Sequence, residues 1–154
     1  YSPGLNRVIL PVYDSHGELI YWQGRRLGEP HPDRPKYLNI RKKGRESIYF
    51  KNCQYESDQI VLVEDVLSAI RVGKTCDCIA LLYAYVPDEL VFSLARDYQL
   101  IILWLDWDKN DVVLQRLKRY QSFGVKTKAI MTQKDPKKYD DRFIYSQVFE
   151  RRKK

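Results

Sequence analysis

The sequence predicts an α/β protein with an open, mostly parallel sheet flanked by helices, preceded by a small basic β-rich subdomain. Three observations predict it. The runs Ile60-Val61-Leu62-Val63, Cys78-Ile79-Ala80-Leu81-Leu82 and Leu100-Ile101-Ile102-Leu103-Trp104-Leu105 are short and continuously apolar, as in strands buried on both faces. Helix-compatible stretches separate them, and alternating strands and helices build a parallel sheet. The first third instead reads as strand, turn and strand, interrupted by Pro-rich and basic loops.

In that first third, Val8-Ile9-Leu10-Pro11-Val12-Tyr13 is β-rich, and Asp14-Ser15-His16-Gly17 has turn chemistry. Glu18 to Arg25 then reads as the return strand of a hairpin. Gly28 to Pro35 holds too many prolines for regular structure. Lys36-Tyr37-Leu38-Asn39 leads into the basic run Arg41-Lys42-Lys43-Gly44-Arg45, and Ile48-Tyr49-Phe50 is a short apolar run.

Beyond residue 58 the elements alternate. Residues 65–72 suit a helix that Gly73 can cap. Pro87-Asp88-Glu89 opens a helix through Tyr98, with Pro at its first turn and acids near the positive dipole end. Residues 110–122 are amphipathic, with Val113, Leu114, Leu117 and Tyr120 on one face. Val125 to Ile130 alternates, which places it toward a sheet edge. The expected organisation is a basic strand-and-loop subdomain over residues 1–57, an α/β domain over 58–139 and a basic tail over 140–154, ending Arg151-Arg152-Lys153-Lys154.

The chain has 154 residues, 44% hydrophobic and 31% charged, which excludes a disordered or fibrous class. No apolar run nears the roughly 18 residues of a membrane span. Tyr1-Ser2-Pro3-Gly4 at the start reads as an internal stretch of a longer protein. Lys and Arg number 27 against 20 Asp and Glu, a net charge of +7. That balance favours nucleic acid over an acidic membrane as partner. Residues 1–52 carry +5 of it, residues 53–139 are neutral and residues 140–154 carry +2. Three cysteines, Cys53, Cys76 and Cys78, stand far in sequence from His16 and His31. They read as free thiols rather than half of a zinc site, which needs four ligands.

In open parallel sheets, sites form at the carboxyl ends of the strands. There the first buried strand presents Glu64, the third presents Asp106-Trp107-Asp108, and Lys134-Asp135-Pro136 follows the fourth. Asp106 and Asp108 point to one side if the chain stays extended. Clustered carboxylates suit Mg²⁺ or Mn²⁺, and such an ion in a cationic protein points to phosphodiester or phosphoryl chemistry. Asp108, just before a helix, also suits an N-cap. Trp104 reads as core and Trp107 as packed away from the acids. Tyr83 and Tyr85 are base-stacking candidates.

Val61-Leu62-Val63-Glu64-Asp65 and Leu103-Trp104-Leu105-Asp106-Trp107-Asp108 resemble the two acidic motifs of the toprim fold, shared by topoisomerases, bacterial-type primases and several nucleases. The first third narrows the resemblance. Arg7 to Asp14, Trp22-Gln23-Gly24-Arg25, Pro35-Lys36-Tyr37-Leu38-Asn39 and Tyr49-Phe50-Lys51-Asn52 look like the basic subdomain that precedes toprim in bacterial and phage primases. Lys134-Asp135-Pro136 is similar to a primase motif whose Asp joins the metal site. The resemblance covers residues 6–139.

It implies a DNA primase catalytic core, a nucleotidyltransferase that makes short RNA primers on single-stranded DNA from ribonucleoside triphosphates. Glu64, Asp106 and Asp108 would be catalytic. With Asp135 they would hold Mg²⁺ or Mn²⁺. Arg25, Lys36, Lys51 and Lys134 would bind template and nucleotide, the first three in a groove beside the acids. A replicative helicase and a zinc-binding module outside this sequence would be partners, in the cytoplasm of a bacterial cell or a phage-infected host, with no membrane role. Departures stand beside the matches: Asp65 and Ser68 replace a Gly and an Asp, Leu82-Tyr83-Ala84 replaces Leu-Gly-Thr, Asn110-Asp111-Val112 replaces Ala-Gly-Arg, and Lys137 and Lys138 replace acids. They leave room for a site rearranged around Asp65 or Asp111, for a toprim nuclease, or for a catalytically weakened nucleic-acid-binding module.

Overall fold

Two sheets organise the chain, one on each side of residue 48, where it divides into two structural units. The computed structural model describes residues 4, 6–13, 16–29, 32–41, 50–55, 57–82 and 86–150. The stacking candidates Tyr83 and Tyr85, the run 42–45 and the terminal 151–154 lie outside the described residues.

In the first unit, β1 (Arg7–Tyr13), β2 (Leu19–Arg26) and β3 (Tyr37–Arg41) form an antiparallel sheet in the order β1-β2-β3. The expected hairpin is β1–β2, in register from Arg7↔Arg26 to Val12↔Tyr21, with an irregularity at Tyr13. Gly24 on β2 has a packing reason to be glycine. A Cβ there would lie 3.1 Å from the Trp22 ring and 3.2 Å from Arg7 Cδ.

The second unit holds a five-stranded sheet, order β4-β6-β5-β7-β8, made of β4 (Phe50–Asn52), β5 (Gln59–Val63), β6 (Cys78–Ala80), β7 (Leu100–Leu103) and β8 (Thr127–Ala129). Every pairing is parallel except β4 with β6. The alternating strand β8 lies at an edge, as its pattern predicts. The helices are α1 (Val66–Val72), α2 (Asp88–Asp97), α3 (Asn110–Ser122) and α4 (Asp141–Phe149). Ile60 and Leu62 of β5 form one core cluster with Val91 and Leu94 of α2 and Val113 and Tyr120 of α3. The alternate residues Val61 and Val63 are as fully buried, so β5 is covered on both faces.

Two segments differ from the sequence expectation. Phe50–Asn52 is a strand of the second sheet, not of the basic subdomain. It is anchored there because Asn52 Nδ2 donates to the Ala69 carbonyl at 3.3 Å near the end of α1. A Cβ at Gly73 would come within 2.0 Å of that amide and 2.6 Å of the Ala69 oxygen, so glycine is required for the close approach. Residues 141–149 form α4 instead of tail, with Ile144 and Val148 buried one helical turn apart. Among the described residues no helix is long and apolar enough to cross a membrane.

Candidate active site

The adjacent strands β5 and β7 run parallel, so their carboxyl ends deliver acids to one rim. Glu64 follows β5, and its carbonyl accepts the Leu82 N–H at 2.9 Å. Trp104 N–H donates to the Leu62 carbonyl at 2.9 Å, fixing the chain that leaves β7 toward Asp106. That chain does not stay extended. Residues 107–109 make one 3₁₀ turn closed by Lys109 N–H on the Asp106 carbonyl at 2.9 Å. The two-residue spacing therefore does not place Asp106 and Asp108 alike. The Asp106 side chain is 24% exposed, whereas Asp108 is 51% exposed and paired with Lys109 at 3.0 Å. Neither aspartate makes a side-chain helix cap. Trp107 is exposed, at 58%, contrary to the expected packing.

The cap is Asp65. Its Oδ1 accepts the Leu67 and Ser68 N–H groups at 3.0 and 3.2 Å, and its Oδ2 accepts the Ser68 hydroxyl at 2.7 Å. The same Oδ2 lies 2.8 Å from Lys137 Nζ, which also reaches Asp135 at 3.1 Å and Asp106 at 4.0 Å. Asp111, the other candidate for a rearranged site, is exposed in the first turn of α3.

Electrostatics divide these acids into two groups. Burial would raise the Asp65 carboxyl, but the bonds from Lys137 and Ser68 outweigh it and hold it below the usual range. Lys137 answers in kind: burial would lower its ammonium, and Asp65 holds it above its ordinary value. Glu64 is pushed up, first by burial and then by the neighbouring Asp106 carboxylate. Asp106 is pushed up by burial, which Lys137 offsets only in part against Asp135 and Asp65. Glu64 Oε2 and Asp106 Oδ1 are both buried without a hydrogen-bonding partner. A buried, unpaired anionic oxygen is costly unless a cation meets it.

Among the described residues, no three His, Cys, Asp or Glu side chains converge as a metal cage. Mg²⁺, however, is commonly held by one or two carboxylates and completes its shell with water and substrate phosphate. Glu64 and Asp106 fit that pattern through their unpaired oxygens. Asp135, expected as a ligand, is instead occupied by Lys137 and lies 3.8 Å from Lys138.

The loop that carries Asp135 is fixed by side chains that sequence motifs do not mark. The Trp104 indole N–H donates to Thr132 Oγ1 at 2.9 Å, and that hydroxyl donates to the Lys134 carbonyl at 2.9 Å. Tyr139 OH accepts the Lys134 N–H at 3.2 Å, and the Tyr139 ring stacks on Phe143 at 4.2 Å. Arg71 of α1 donates to the Tyr139 carbonyl at 2.8 Å and pairs with Asp141 at 2.7 Å. Lys134 itself is exposed, as is Lys51 on β4.

In the first unit, Arg25 and Lys36 meet at Tyr37. The Arg25 guanidinium is 5.8 Å and the Lys36 ammonium 5.4 Å from its ring centre. Arg7, absent from the expected site, is the support: buried to 5% exposure, it donates to the carbonyls of Gly24, Pro35 and Lys36. The available signal was the Gly at 24, which clears space for it.

No protein-family model matches the chain. The chain is 31% identical over 119 residues to the DNA primase of Halalkalibacterium halodurans, a match covering 70% of this chain and 19% of that protein. A DNA primase domain from Pseudomonas aeruginosa superposes with a TM-score of 0.70 at 22% identity, over 93% of this chain and 51% of that one. A primase catalytic domain bound to single-stranded DNA superposes at 0.69 with 20% identity, over 92% of this chain and 50% of that one. The chain thus spans 13 to 19% of the length of the curated relatives it matches. In sequence and in fold, it resembles the catalytic core of bacterial DNA primases.

Proposed function

We propose that this chain is the RNA-synthesising core of a primase, with the second unit, from residue 49 and including β4 and α4, as its toprim domain and the first unit, through residue 48, as its basic subdomain. The observation that carries the proposal is the pair of buried, unpartnered oxygens on Glu64 and Asp106 at neighbouring strand ends. It occurs in a chain that matches a DNA primase over 119 residues.

In this reading Glu64 and Asp106 hold Mg²⁺ or Mn²⁺, with Asp108 exposed beside them and able to release Lys109 as charge accumulates. Held there, such an ion would lower the pKa of the attacking 3′-hydroxyl and offset charge on the triphosphate. The protein's own work is positioning. Arg25, Lys36, Lys51 and Lys134 hold phosphates of the template and the incoming ribonucleotide, so affinity falls as salt rises. Asp135 acts through Lys137, as a positioning residue. A zinc-binding template reader and a replicative helicase complete the activity from outside these residues, in the cytoplasm of a bacterium or of a phage-infected host.

The test incubates the protein with single-stranded DNA, labelled ribonucleotides and Mg²⁺ or Mn²⁺. Template-dependent oligoribonucleotides that disappear in Asp106→Ala support the proposal. Shortened DNA would instead assign a nuclease. DNA binding without either product, when the relatives' zinc module is added in trans, would assign a binding module.

A further inference from the structure

Five carboxylates and three lysines gather at the ends of β5, β7 and the 135–138 turn, and they are unevenly neutralised; the exposed Lys138 lies 3.8 Å from Asp135. Lys109 is spent on the exposed Asp108. Lys137 is only 15% exposed and touches three carboxylates, Asp65, Asp135 and Asp106. An ammonium is a compact point charge with three donors, and three carboxylates surround this one. Its strongest partner cannot turn away, because Asp65 is also fixed by the Leu67 and Ser68 N–H groups. Glu64 Oε2 and Asp106 Oδ1 are buried and make no hydrogen bond.

We infer that Lys137 is a tethered cation that permanently fills one half of this acidic cluster, so that the chain takes up one divalent ion, at Glu64 and Asp106, rather than two. The inference rests on the metal-dependent reading above and adds the count. An ion entering between Asp65 and Asp135 would have to expel an ammonium that both carboxylates hold, at 2.8 and 3.1 Å, on a turn whose Pro136 is buried. Two consequences follow. The Asp65–Asp135 half keeps its arrangement when divalent ions are absent. Removing the ammonium while keeping the carboxylates turns that half into a second ion site.

The experiment counts bound Mn²⁺ on the intact chain by electron paramagnetic resonance of the free ion, alongside melting temperature in EDTA and in Mn²⁺. The expected result is one ion for the natural chain, one for Lys137→Arg and two for Lys137→Gln. Lys137→Gln should also melt lower in EDTA and recover as Mn²⁺ is added. Two ions on the natural chain, or one on a folded Lys137→Gln, would overturn the inference and leave the metal-dependent reading standing. No ion on any of the three would overturn both. If Lys137→Gln does not fold, the count on the natural chain decides alone.

Discussion

Arg7 Nη1 donates to the Gly24 carbonyl at 2.8 Å, across the β1–β2 hairpin and beneath the strand that carries Arg25. The same guanidinium satisfies the carbonyls of Pro35 and Lys36, so one buried cation holds both ends of the basic motif. Arg7→Ala removes this guanidinium from all three carbonyls, of which Lys36 keeps the Arg26 N–H at 3.0 Å. Bonds to a charged donor contribute about 1.5–3 kcal/mol each, and unmade buried ones cost a similar amount. A loss of at least about 2 kcal/mol in urea unfolding is expected, with weaker DNA binding. An unchanged midpoint would show that Arg7 does not support this sheet.

Thr132 holds the loop of Asp135 against the sheet by accepting from the fully buried Trp104. Thr132→Val keeps the shape and removes both bonds of the hydroxyl. The indole N–H is then left unpaired, at a cost of about 1–3 kcal/mol. Differential scanning calorimetry should show a lower Tm, whereas Thr132→Ser should lie close to the natural chain. Equal losses in both variants would point to the methyl group instead.

Much of the second unit was legible because β5, β6 and β7 are buried on both faces and read as unbroken apolar runs. α3 was legible because its apolar spacing is helical over its whole length, although Leu114 is exposed. β4 was not, since three residues carry no periodic signal and its place depends on Asn52 meeting Ala69. α4 was hidden by flanking charges around only two buried residues. At the strand ends, the sequence nominated Glu64, Asp106, Asp108 and Asp135, of which Asp108 lies on Lys109 and Asp135 on Lys137. It could not find that Lys137 neutralises Asp65, a contact across 72 positions of chain. It also misplaced Trp107, because strand alternation was extended into residues that form a 3₁₀ turn.

Asp88 links α2 to α3 through Arg119, whose Nε and Nη2 both donate to its Oδ2, at 3.1 and 2.6 Å. Burial alone would raise this carboxyl, but Arg119, with Arg116 beside it, outweighs burial and holds it below the usual range. A carboxyl with a depressed folded-state pKa contributes stability above its unfolded value, near 4. That contribution is lost as pH falls through the lower folded value. Asp88→Asn should therefore be less stable than the natural chain at pH 7, by under about 1 kcal/mol for so exposed a pair. The two should converge once the pH has fallen through the lowered folded value. A difference in urea midpoint that persisted unchanged into acid would exclude the ion pair as its source.

Trp107 stands between two of the candidate catalytic aspartates with 58% of its surface exposed, whereas Trp104 is fully buried. An indole with so little packing contributes little to folding, so Trp107→Ala should change stability by no more than about 0.5 kcal/mol. Beside the rim proposed to bind nucleotide, the same ring offers a face for a base. Stacking of a base on an aromatic side chain is worth about 1–3 kcal/mol, equivalent to a roughly 5- to 150-fold change in an equilibrium constant at 25 °C. Trp107→Ala should therefore raise the KM for ribonucleotide or the Kd for single-stranded DNA by that factor, with Trp107→Phe recovering most of it. Tryptophan fluorescence adds an independent check, since the exposed Trp107 should account for most of the quenching when nucleotide or DNA binds. Quenching that survives Trp107→Phe at full amplitude, with KM and Kd unmoved in Trp107→Ala, would remove this residue from the binding surface.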